Sequence, residues 1–143
     1  MLYSPSAISL ESALAFHGLI PEAVYQITSS TPKRSYRTST PLGDFIFESI
    51  PSANALAGVE SIKLDEFFWS FVATPFRAIA DLVYLRKDVE WSLDGMSYLT
   101  DSMRIEPHDL FAISLNNANE VIENIRNKRT RHFMNQLRKK ILS

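Results

Sequence analysis

The chain has 143 residues, a net charge of −1, and 45% hydrophobic against 22% charged residues, enough for one domain with its own core and too apolar for disorder. It has no cysteine, which removes disulfides, zinc-thiolate sites and thiol catalysis and fits a reducing cytosol. Its opening, MLYSPSAISL, lacks the basic and apolar regions of a secretory signal, and no apolar run approaches the roughly 18 residues that cross a bilayer, so a cytoplasmic protein without membrane contact is expected.

A first helix is predicted over residues 10–17. Ser9 stands at its N-cap, Gly18 supplies the left-handed residue after it, and Pro21 prevents continuation. Leu10, Ala13, Leu14 and His17 share one face at helical spacing. β-like sequence follows. Residues 24–28 are branched and aromatic and read as a strand. Residues 33–40 and 44–48 flank the turn signal Pro41-Leu42-Gly43 and read as a hairpin. Residues 59–64 and 67–73 are two more candidate strands, the second apolar enough to suggest a central position.

Thr74-Pro75 is a helix start, with Thr as N-cap and Pro at the first helical position. The helix over 75–85 would turn Ala78, Ile79, Leu82, Val83 and Leu85 inward. Arg77 and Asp81 form an i, i+4 pair, worth a few tenths of a kcal/mol if exposed. Beyond residue 88 the pattern is helical throughout. Leu93, Met96, Leu99 and Met103 space as one helix, Glu106-Pro107 starts another, and Asn116-Asn117 interrupts before Val121, Ile122 and Ile125 resume. Strands segregated from helices predict an α+β fold: a small, mostly antiparallel sheet of about five strands, an N-terminal helix and a C-terminal helical segment.

The near-zero net charge conceals an asymmetry. Residues 126–143 hold Arg126, Lys128, Arg129, Arg131, Arg138, Lys139 and Lys140 with no acid, a balance of +7. Residues 1–125 hold the other basic residues and every acid, a balance of −8. Such a split predicts either a tail with its own task or a tail docked on the acidic body. Phe133, Leu137 and Ile141 recur every fourth residue along it, so it reads as an amphipathic helix with a thin apolar stripe.

Four runs, in order, resemble the C-terminal domain of AbiEi-type bacterial antitoxins. They are Ser9-Leu10-Glu11-Ser12-Ala13-Leu14 leading into His17-Gly18-Leu19-Ile20-Pro21-Glu22; Val24-Tyr25-Gln26-Ile27-Thr28-Ser29; Thr40-Pro41-Leu42-Gly43-Asp44-Phe45; and residues 73–85, ATPFRAIADLVYL. The resemblance covers about residues 8–105. It implies a non-enzymatic domain of an abortive-infection toxin–antitoxin pair that counters a nucleotidyltransferase-like toxin, or regulates its expression. With the charge split, the chain divides into an antitoxin-like body, 1–125, and a basic helical tail of the same domain, 126–143. The chain departs from the family in two ways. The winged-helix module expected before this domain is missing, so promoter binding is not carried over. Position 76 is Phe where the family often has an acid, which leaves the helix start without acidic support.

The remaining polar residues offer no catalytic or metal-binding pattern. His17 reads as a helix-end histidine, and the spacing of His17, His108 and His132 suits no metal site. Glu11, Asp44, Glu48, Asp81 and Asp88 lack the nuclease signature. Ser9 and Ser12 near His17 suggest a nucleophile and base, but no nucleophile elbow accompanies them and helix capping accounts for both serines. Four glycines cannot build a phosphate loop. No cofactor, metal or catalytic residue is therefore expected. Lys33, Arg34 and Arg37, with Tyr36 among them, could touch nucleic-acid phosphates or be solvated strand surface. The tail cations are the strongest candidates for DNA or RNA contact, and a stand-alone nucleic-acid-binding module is the alternative function.

Overall fold

A computed structural model describes residues 6–21, 26–41, 43–63, 66–67 and 69–143. The predicted strand residues Val24 and Tyr25, the turn residue Leu42, Leu64 at a strand end, and Glu22 of the resemblance lie outside the described residues.

The fold is α+β. Its strands are β1 (Ala7–Ile8), β2 (Gln26–Thr31), β3 (Tyr36–Thr40), β4 (Gly43–Ser49), β5 (Val59–Lys63) and β6 (Trp69–Ala73). Its helices are α1 (Leu10–Phe16), α2 (Pro75–Leu85), α3 (Trp91–Ser97), α4 (Pro107–Phe111), α5 (Ala118–Glu123) and α6 (Lys128–Leu142). The strands form one sheet in the order β3-β4-β2-β1-β6-β5. The sixth strand, one more than expected, is β1, whose two residues are too few to leave a periodic signal.

The sheet is mixed. β3–β4, β1–β2 and β5–β6 pair antiparallel, while β2–β4 and β1–β6 pair parallel. The predicted hairpin is present, with Thr40 opposite Gly43. β4 then runs beside β2 in parallel, a non-local pairing that no turn signal announces. β6 lies one strand from the edge rather than at the centre, and its aromatic run stays outside the core: Trp69 is 61% and Phe71 42% exposed. From β6, only Val72 and Ala73 are buried.

The core sits mainly among the helices. Phe76, Ile79, Leu82 and Val83 of α2 pack with Leu10 and Leu14 of α1, with Leu99 and Leu110, and with Phe133, Met134 and Leu137 of α6. Burying each such side chain contributes about 1.5–3 kcal/mol. Thr74 caps α2 as predicted, its hydroxyl accepting from the Arg77 amide at 3.3 Å. Phe76 is fully buried, so this position near the start of α2 serves as core.

Two helical expectations shift. Leu93 is 81% exposed, and Trp91, two residues earlier, is the buried anchor. α3 does not continue as a regular helix toward Met103: a π-helical turn, Tyr98–Ser102, follows it, with the Met103 amide donating to the Tyr98 carbonyl at 2.9 Å. Left-handed Arg104 then ends the helical run. At Gly95 an added Cβ would lie 2.4 Å from the Phe133 ring and 2.8 Å from the Trp91 ring, so only glycine admits this approach of α3 and α6. The Trp91 and Phe133 rings meet edge to face at 5.0 Å.

Candidate nucleic-acid interface

α6 begins with Asn127 at its N-cap, whose side-chain oxygen accepts from the Thr130 amide at 2.9 Å. Thr130, Phe133, Met134 and Leu137 are buried, and Ile141 is half-buried. The apolar stripe is therefore broader than Phe133, Leu137 and Ile141 alone, because Met134 and Thr130 complete the i, i+3, i+4, i+7 set. This stripe rests on α2, α3, α4 and α5.

The seven tail cations divide into two groups. Arg129 donates to the Val83 and Tyr84 carbonyls at 3.0 and 3.2 Å, two last-turn oxygens of α2 that lack an intrahelical donor. Arg131 donates to the Ile125 carbonyl through Nε and Nη2. Arg138 donates to the side-chain oxygens of Asn119 on α5 and Asn135 on α6. These three arginines fasten α6 to its neighbours. Arg126, Lys128, Lys139 and Lys140 are exposed. Lys128, His132 and Lys139 fall on the outward stripe opposite the buried one.

Among the described residues no cation of 126–143 forms an ion pair with an acid. The tail thus docks on the acidic body through apolar side chains and arginine–carbonyl bonds, and its charge stays uncompensated. No acid occupies the first turn of α6, so the positive end of the helix dipole adds to the cations there.

Lys33, Arg34 and Arg37 are exposed on β3 and the loop before it, at one edge of the sheet. β3 packs on β4 and α6 packs on helices, so the two basic groups sit on separate parts of the molecule.

The serines, His17, Glu11 and Asp81 have structural partners instead. Ser9 holds the N-cap position of α1 with no side-chain cap bond; its Oγ donates to Asp81 Oδ2 at 2.5 Å. Ser12 Oγ accepts from the Thr28 amide at 2.8 Å and donates to the Gln26 carbonyl at 3.1 Å, pinning α1 to β2. Helix capping therefore explains neither hydroxyl. His17 Nε2 donates to the Ala73 carbonyl at 2.9 Å, which ties the end of α1 to the end of β6. Neither serine bonds to His17.

The i, i+4 pair Arg77–Asp81 is not exposed but buried, at 5% and 3% exposure. Arg77 Nε meets Asp81 Oδ1 at 3.0 Å, Nη1 donates to the Ala55 and Ala57 carbonyls at 2.9 and 2.6 Å, and Nη2 donates to Ser30 Oγ at 3.3 Å. Sequence could not reveal this, since those acceptors lie 20 or more residues away. Glu11 pairs with Arg86 at 2.6 Å, and Arg86 Nε donates to the Tyr98 hydroxyl at 3.1 Å. Burial disfavours the Arg86 charge, but Glu11 and Tyr98 outweigh it and hold the guanidinium pKa above its ordinary value.

Among the described residues no three His, Asp or Glu side chains gather as a metal site, and no helix is long and apolar enough to cross a membrane. No protein-family model matches this chain, and a search of the curated proteins finds no match.

Proposed function

We propose that this chain is a non-enzymatic antitoxin-type domain of a bacterial toxin–antitoxin pair. In this reading it acts in the cytoplasm by contact, countering a nucleotidyltransferase-like toxin or regulating its expression. One observation supports the reading beyond motif order. The polar residues that carry the resemblance meet at a single junction: Ser9 with Asp81, Ser12 with Thr28, His17 with Ala73, and Glu11 with Arg86 just past the last motif. These bonds join residues up to 75 positions apart, and three of the four runs supply them. Their polar groups are used to hold α1, β2 and α2 together, which leaves the action to surfaces and fits a protein that works by binding.

The test is co-expression with a nucleotidyltransferase-type toxin encoded beside it. Growth should be restored by the intact chain. Undiminished toxicity, with the chain present in soluble folded form, would reject the proposal.

A further inference from the structure

The uncompensated charge on α6 calls for a polyanion, and the character of the helix surface narrows which one. Arg129, Arg131 and Arg138 are bonded to neutral oxygens, so they stiffen the helix without cancelling its charge. The outward stripe offers lysines, His132 and the amides of Asn135 and Gln136, with the one exposed apolar residue, Leu142, at its far end. A protein interface needs an apolar or aromatic anchor near its centre, and this surface has none. A phosphate backbone needs only cations and hydrogen-bond donors laid along a line. Single strands are held chiefly by aromatic stacking platforms, and the outward stripe carries no Phe, Tyr or Trp and a single imidazole, His132. Lys128 and Lys139 stand about 16 Å apart along the helix, at about 1.5 Å per residue. That reaches across a duplex groove about 12 Å wide.

We propose that the exposed cations of the tail, Arg126 just before α6, Lys128 and Lys139 on its outward stripe and Lys140 on its flank, bind the phosphate backbone of double-stranded nucleic acid without sequence preference. The inference is independent of the antitoxin reading, since it concerns residues outside those motifs. Four cations predict a log–log salt slope of about −3 to −4 on DNA, with a Kd of about 10⁻⁴ to 10⁻⁶ M near physiological salt.

The experiment uses the full chain in fluorescence anisotropy with a short DNA duplex, the matching RNA duplex, and polyglutamate as a protein-like polyanion. Binding to either duplex should weaken as salt rises, and the two duplex arms separate DNA from RNA. K128Q/K139Q/K140Q should flatten the slope by about 3 and weaken binding at least about tenfold at low salt. Its urea midpoint should match wild type, because all three lysines are exposed. K63Q, which removes an exposed lysine on β5, should bind as wild type does. Three results would overturn the proposal: no duplex binding at low salt, a triple variant that binds like wild type, or tighter binding to polyglutamate than to either duplex.

Discussion

Burying a carboxylate such as Asp81 is costly unless partners surround it. It has two, the Arg77 guanidinium and the Ser9 hydroxyl. Asp81→Ala should cost about 3–5 kcal/mol by urea denaturation, because Arg77 would keep a buried charge without its counter-charge. The double variant R77L/D81L should be less damaged than D81A alone, since neither charge then remains. Equal losses in the two would show that local packing, rather than the unpaired charge, sets the cost. The same pull on Ser9 accompanies a local distortion. Leu10 opens α1 at φ 58°, a left-handed conformation costing roughly 1–2 kcal/mol in a residue with a Cβ. Ser9 is held by Asp81 and by the Thr28 carbonyl, and Leu10 makes the turn from that fixed point into the helix.

At the scale of elements, α3 and α6 show how a helix contact can hinge on one missing side chain. Gly95 → Ala would press a methyl group into the Phe133 and Trp91 rings. Overpacking of this kind typically costs about 1–3 kcal/mol, and loss of near-UV circular dichroism from Trp91 should accompany the lower denaturation midpoint. An unchanged midpoint would mean that the two rings can move apart freely. The start of α2 and the end of α1 behaved more simply. Thr74-Pro75 and Gly18 act where the sequence places them, because capping and left-handed turns are decided by a few adjacent residues. The π-helical turn at Tyr98–Ser102 left no such local signature, and Leu93 at correct helical spacing proved to face solvent. Periodicity marks a face, but only the neighbours decide whether that face is covered.

Across the whole molecule, the basic tail belongs to the core. Phe133, Met134 and Leu137 are among its best-buried side chains. Deleting residues 126–143 should therefore abolish cooperative unfolding, as followed by circular dichroism on heating, rather than yield a folded, charge-depleted body. A truncated chain with a sharp transition would show that α6 is an accessory. Charge substitutions, not truncation, are consequently the means to separate the helix's electrostatics from its structural part.

The sequence by itself determined the α+β class, most element positions, the β3–β4 hairpin and the segregation of charge into the last eighteen residues. Each follows from local pattern: capping residues, turn residues, alternation and counting. Tertiary structure alone decided the parallel β2–β4 pairing, the burial of Arg77 and Asp81, the exposure of the β6 aromatics, and which tail cations face outward. The reason is physical. These outcomes depend on partners tens of residues distant, and a side chain's energy is set by the dielectric and the donors and acceptors around it, which no short stretch of sequence contains.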